Sequence, residues 1–242
     1  MGLKKKVAKW VSPRPGPKSA GSDPYALLAY VLRRVEAPVV FDVGCNEGDS
    51  SAKLLRLMPR ARVEAFEPSP ATAARCRGRF EGDSRWRVHG MALGSEAGVM
   101  RLRTHAGGAT DSLLAEGEAF GALTPAAWAA SGGEVEVQVR RGDEVAAELG
   151  IGRIDLLKTD TQGFDDRVLR GFSGMLSRGA IGVVYAEMIF SALYEGQAAP
   201  HEIMRMMAEF GYRLAGLFDV HYEAGPVVAW CDGMFVHGSL VG

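Results

Sequence analysis

Cysteine is scarce in this 242-residue chain: Cys45, Cys76 and Cys231 lie far apart, and none belongs to a Cys-x-x-Cys pair. That excludes a disulfide-stapled scaffold and a zinc knuckle, and it fits a reducing cytoplasm. An excess of one charge is missing too. With 28 Lys and Arg against 29 Asp and Glu, the net charge is −1, without the basic surplus that a broad nucleic-acid surface needs. Long apolar runs are absent from the start of the chain. The basic opening MGLKKKVAKW reaches only a few apolar residues before Pro13, Pro15 and Pro17, too few for a secretory core or a membrane span. Gly2 does not begin a myristoylation pattern, because position 6 is Lys6. Residues 1–22 therefore read as a flexible basic, proline-rich arm, in which Lys4, Lys5, Lys6, Lys9 and Trp10 could touch an anionic lipid surface or a lipid-linked acceptor.

What is there is an alternation of periods over residues 23–242, read as one domain because no repeat or linker divides it. Helical stretches are expected at Tyr25–Val35 (capped by Asp23, with Pro24 in its first turn), Asp49–Met58, Pro70–Phe80, Asp165–Leu176 and His201–Phe210. Strands are expected at Val39–Val43, Arg62–Phe66, Trp86–Leu93, Ile154–Thr159 and Ile181–Ala186, and Tyr212–Asp219 and Val227–Val236 should pair as a hairpin across a Glu-Ala-Gly-Pro turn. Between them, residues 98–140 form an insertion with short strands at Gly98–His105 and Glu134–Val139 around a Gly/Ala-rich loop, and so long a loop is usually functional. The order predicts an α/β fold: a Rossmann-like, doubly wound, mostly parallel sheet closed by a C-terminal antiparallel β-hairpin.

In such sheets ligands lie at the carboxyl ends of the strands. The stretch VVFDVGCNEGDS places Asp42 in an apolar strand, then brackets a tight turn, Gly44-Cys45-Asn46-Glu47-Gly48, before a helix start. Glu67 and Pro68 end the second strand, where an acid can take both ribose hydroxyls, and Ala92 marks the third, where a base could lie. A dinucleotide fingerprint requires a middle glycine, which here is Asn46, and Glu47 would face the phosphates. A nucleoside with a cationic tail and no phosphate, S-adenosyl-L-methionine, fits better. The glycines could also be plain turn glycines, and Glu67 a surface acid. An unpaired carboxylate at Asp42 would be costly in a buried strand.

The motifs FDVGCNEG, EAFEPSP, MALGSEAG, IDLLKTDTQGFDDRVLRG and EMIFSALYEGQ resemble the FkbM family of S-adenosylmethionine-dependent methyltransferases, over about Val39 to Val236. Family members often carry Val-Glu where this chain has Thr161-Gln162, and a Leu-Asp pair where it has Gly142-Asp143. The resemblance implies a class I methyltransferase-like fold and O-methylation, commonly of a sugar hydroxyl on a glycan, glycolipid or secondary metabolite.

Methyl transfer to an alcohol needs alignment and a route for the proton. Asp160 and Glu187, at the ends of successive strands, are the candidate catalytic residues. Either Asp160 is the general base with Glu187 orienting the acceptor, or both hold Mg²⁺, which uses one or two carboxylates; a plain helix cap is the bland reading of Asp160. Asp111 and Ser112 in the long loop, Tyr194 and Gln197 in ALYEGQ, and His221 near a strand end are candidates for the acceptor pocket. His89, like His221, could also serve as a base, while His105, His201 and His237 look peripheral. Candidate partners are then a small-molecule or glycan acceptor and a second copy of the chain. Two competing readings remain open at this point: an NAD(P)-dependent oxidoreductase and a non-catalytic S-adenosylmethionine-binding module.

Overall fold

The computed structural model describes residues 23–240, so the basic arm lies outside the described residues. In chain order the elements are α1 (Pro24–Val31), β1 (Val39–Val43), α2 (Asp49–Leu57), β2 (Arg62–Phe66), α3 (Pro70–Arg79), β3 (Trp86–His89), β4 (Ala92–Gly94), β5 (Gly98–His105), α4 (Phe120–Leu123), α5 (Ala126–Ala129), β6 (Ser131–Arg141), α6 (Gly142–Glu148), β7 (Ile154–Thr159), α7 (Asp165–Gly171), α8 (Ser173–Ser177), β8 (Ile181–Ile189), α9 (Pro200–Glu209), β9 (Tyr212–Tyr222) and β10 (Val228–His237), with a last 3₁₀ turn at Gly238–Leu240.

Runs that are apolar on both faces become the middle of a seven-stranded sheet, ordered β3-β2-β1-β7-β8-β10-β9. Neighbours from β3 to β8 are parallel, and β10 alone runs against its two partners. The chain winds outward from β1 to β3 on one side, then returns to β7 and β8 on the other. The switch point therefore falls between β1 and β7, where such sheets bind ligands. One face packs Phe41, Phe66, Leu157 and Val184 against α6 to α9; the other packs Val40, Val63, Leu156 and Val183 under α1 to α3. Fully buried rings such as Phe41, Phe66 and Phe172 each stabilise the fold by roughly 1.5–3 kcal/mol relative to exposure. Among the described residues no helix is long and apolar enough to cross a membrane.

Two expectations from the sequence are corrected here, and α6 is an addition to them. The strand expected over Trp86–Leu93 is two strands: Met91 N–H turns back onto the His89 carbonyl at 2.9 Å, and β4 leaves for a second, three-stranded sheet, β4-β6-β5, built from the insertion. The helix expected over Asp165–Leu176 breaks at Phe172, whose ring is buried edge-on to Phe41. The preceding Gly171 packs so closely that a Cβ there would lie 2.2 Å from the Gly94 carbonyl oxygen. Finally, α6 was not foreseen. Its Asp143 accepts hydrogen bonds from the Gly174 and Met175 N–H groups at 2.8 and 2.9 Å, capping α8 from a distant part of the chain.

Candidate active site

A cleft opens at the carboxyl ends of β1, β2 and β7, where doubly wound sheets place their ligands. Its floor is the turn after β1. Gly44 has φ +76°, and a Cβ on it would stand 1.9 Å from the Asp160 carbonyl oxygen, so only glycine lets the ends of β1 and β7 meet this closely. The Gly44 and Cys45 N–H groups both donate to the Phe66 carbonyl, at 2.9 and 3.1 Å, and Asp160 N–H donates to that of Val43 at 3.0 Å. The Glu67 carboxylate joins turn to strand end, accepting from Asn46 N–H at 3.0 Å and Ser69 N–H at 2.8 Å. Burial, against those two N–H groups, pushes Glu67 up to about 7, and Asp111 adds to the rise.

The cavity fits S-adenosylmethionine. Phe66, Met91, Leu93, Leu102, Leu113 and Phe164 line an apolar slot suited to a planar base. Glu67 offers an acceptor edge, and Asn46 Oδ1 is buried without a partner, a loss of about 1–3 kcal/mol that a ligand donor would recover.

Beside the cavity lies a charged cluster. Asp42 is fully buried beneath the turn: Ser51 Oγ donates to its Oδ2 at 2.7 Å, and Lys158 Nζ stands 3.6 Å from its Oδ1. The same ammonium is 3.3 Å from Asp160 Oδ2. Burial alone would push Lys158 down, but Asp160, Asp42 and Asp232 outweigh it and hold the ammonium above the ordinary lysine range. The amide of Gln162 donates to Asp160 Oδ1 at 3.1 Å and to Glu187 Oε2 at 3.4 Å. Desolvation, reinforced by Asp160, Asp165 and Asp232, pushes Glu187 well above the usual carboxylate range. Asp232, which faces Glu187 across the β8–β10 pairing, is pushed up to about 6, also chiefly by desolvation.

Among the residues singled out from sequence, Gly44, Asn46, Glu67, Pro68, Ala92, Asp111 and Asp160 line the cavity. Asp42, Cys45 and Gly48 lie beneath it; the Cys45 and Cys76 thiols touch at 3.9 Å, and Gly48 packs on Phe80. Ser112 donates to the Gln162 carbonyl at 2.7 Å, and Tyr194 OH donates to Gln162 Oε1 at 2.7 Å. Gln197 accepts from Tyr194 N–H and donates to the Ile189 and Ser191 carbonyls, a loop staple rather than a cavity wall. His221 is exposed on the edge strand β9, stacked on Trp230 with centroids 4.6 Å apart. His89, which could have served as a base, bonds Glu64 at 2.7 Å.

The donor set at Asp160 and Glu187 does not fit Mg²⁺. One oxygen of Asp160 faces an ammonium, and the other faces an amide N–H group that is shared with Glu187. Among the described residues no group of three or more His, Cys, Asp or Glu is arranged to hold a metal. Lys158, Gln162, Asp232 and Ser51 are members of the cluster that the sequence reading did not assign to the site. A signal for Lys158 was present: it interrupts the apolar strand IDLLKT just as Asp42 interrupts VVFDV, and the two are register partners.

Residues 42–214 match the model of the methyltransferase FkbM domain. The chain is 31% identical over 180 residues to the 2-O-methyltransferase NoeI of Sinorhizobium fredii, covering 72% of each protein. It is 33% identical over 156 residues to the 31-O-demethyl-FK506 methyltransferase FkbM of Streptomyces tacrolimicus, covering 55% of this chain and 58% of that one. Among solved structures, the precorrin-6y C5,15-methyltransferase of Geobacter metallireducens is 11% identical with a TM-score of 0.48, covering 88% of this chain and 86% of that one. The oxidoreductase and non-catalytic readings both fall against the family match. The chain belongs to the FkbM methyltransferase family, and it is an S-adenosylmethionine-dependent O-methyltransferase.

Proposed function

We propose that the acceptor is a hydroxyl of a sugar, a glycan or a glycosylated metabolite, and that Asp160 is the general base that takes its proton. The observation that carries the base assignment is the position of Asp160. It lines the cavity at the end of β7, with a side chain 43% exposed, and Lys158 beside it supplies a countercharge for the carboxylate. Glu187 has the opposite character: burial and neighbouring acids favour its neutral form, which can donate a hydrogen bond and orient the acceptor oxygen. Two acids set apart by their surroundings are a recurrent basis for dividing such roles.

S-adenosylmethionine, when bound, supplies an electrophilic methyl on its sulfonium. This chain's own residues supply the rest. The turn from Gly44 to Gly48 and the Glu67 carboxylate would hold the cofactor's tail and ribose, and the apolar slot would take its base. Asp160 would take the proton of the acceptor hydroxyl, leaving its oxygen free to receive the methyl group. The names of the two relatives, both acting at oxygen, support an alcohol acceptor.

The test is transfer of a radiolabelled methyl group from S-adenosylmethionine to a panel of free and conjugated sugars, set beside non-glycosylated alcohols and amines. Label confined to a non-sugar hydroxyl or to nitrogen would overturn the acceptor class. Asp160→Asn should lower kcat by about 10²–10⁴-fold, the usual share of a general base, while S-adenosylhomocysteine affinity stays within about threefold. Undiminished turnover would remove Asp160 from the role.

A further inference from the structure

In Gln162 each polar group of the side chain, and the carbonyl, is committed. Its backbone takes φ +53°, a left-handed conformation that a residue with a side chain adopts at some cost. Ser112 Oγ–H holds its carbonyl at 2.7 Å. Tyr194 OH donates to Oε1 at 2.7 Å, with the NH₂ turned toward the two acids. Reversing the amide would aim Oε1 at the Asp160 carboxylate, so electrostatics select this orientation.

The spacing is informative. Nε2 lies 3.1 Å from Asp160 Oδ1 and 3.4 Å from Glu187 Oε2. Oxygens on adjacent corners of a coordination shell are about 2.9 Å apart around Mg²⁺ and about 3.3–3.7 Å apart around Ca²⁺, given their metal–oxygen distances. Nε2 thus sits, from each acid, at about the separation a neighbouring ligand of a hard cation would have. The space between them, however, is filled by the amide's two hydrogens, and Lys158 covers the other oxygen of Asp160.

We propose that Gln162 is a positioning residue standing in for a divalent cation: its amide bridges Asp160 and Glu187, keeps hard metals out, and holds the two acids in register for a metal-free proton transfer. This rests on the reading of Asp160 and Glu187 as the acceptor-facing pair. Replacing the NH₂ with an acceptor oxygen removes the bridging hydrogens and places a third carboxylate at ligand spacing, a repulsion that a cation would relieve.

The experiment is a Mn²⁺ titration of chelator-treated protein saturated with S-adenosylhomocysteine, followed by calorimetry and electron paramagnetic resonance. Wild type should show no saturable Mn²⁺ up to about 1 mM, a range in which weak oxygen sites fill. Q162E should bind one equivalent at least about a hundredfold more tightly, and adding D160N should abolish that gain, which a merely structural role for Gln162 would not produce. Wild type binding one Mn²⁺ that D160N weakens would overturn the proposal, as would a folded Q162E with no gain. If Q162E does not fold, Q162A, which opens the gap while leaving two carboxylates, should bind Mn²⁺ at least about tenfold more tightly than wild type; an unchanged affinity would equally overturn it. S-adenosylhomocysteine affinity is read in the same samples. Its absence in wild type would count against the cofactor-site reading, and the Mn²⁺ result would still decide the role of Gln162.

Discussion

Removing the Lys158 ammonium is the sharpest test of how this site is held together. Lys158→Met keeps most of the side-chain volume and deletes the charge that stands 3.6 Å from Asp42 and 3.3 Å from Asp160. Asp42 Oδ1 has no hydrogen-bond partner, so the ammonium is its compensation, and Asp42 has no exposure to water that would replace it. Breaking a buried pair from one side costs about 3–5 kcal/mol, which for a domain of this size lowers Tm by roughly 6–20 °C. The sign with pH follows from the raised Lys158 pKa. A lysine lifted above its unfolded value of 10.5 contributes its full stabilisation below that pH and loses it only as pH rises through the folded value. The deficit should therefore be equal at pH 7 and pH 9. Thermal unfolding followed by circular dichroism at both values is the assay, with Lys158→Met/Asp42→Asn as the companion variant. Taking away both charges should recover a good part of the loss, because a neutral pair leaves no buried charge uncompensated. A Tm change under about 3 °C, or a double variant no better than the single one, would show that the ammonium does not carry this cost.

Other outcomes are expected at the same site. Gly44→Ala forces a Cβ against the Asp160 carbonyl in a left-handed conformation, so calorimetry should find S-adenosylhomocysteine binding weakened at least about tenfold, or the fold lost outright. Glu67, poised near 7, should make cofactor affinity fall as pH drops from 8 to 6 and the carboxylate takes a proton; Glu67→Gln should flatten that dependence, and a slope retained in the variant would assign it to another group. Gly171→Ala, with its Cβ 2.2 Å from the Gly94 carbonyl oxygen, should cost about 1–3 kcal/mol as overpacking between α7 and β4, read as a lower urea midpoint; an unchanged midpoint would mean that the contact yields freely.

Much of the fold was written in local chemistry. Residues such as Val39-Val40-Phe41 and Ile154-Asp155-Leu156-Leu157 could only be central strands, because their apolar side chains alternate onto two buried faces. The turn after β1 was legible from its glycines, and Asp42 from the penalty on a lone buried acid. Boundaries were less legible where tertiary contacts set them: Phe172 breaks a helix because its ring docks on Phe41, and Asp143 caps a helix 31 residues away. Neither contact has a local signature.

By itself, the sequence determined the strands of the central sheet, the glycine turn and the acids at the strand ends, since each follows from period, backbone freedom or the cost of burying charge. Only the tertiary structure decided how those acids are compensated. Lys158 faces Asp42 through strand register, and Gln162 reaches Asp160 and Glu187 because β7 and β8 lie side by side while Tyr194 donates to its amide oxygen. These partners are up to 116 residues apart in the chain, and a hydrogen bond or an ion pair is selected by distance in space, which local sequence patterns do not encode.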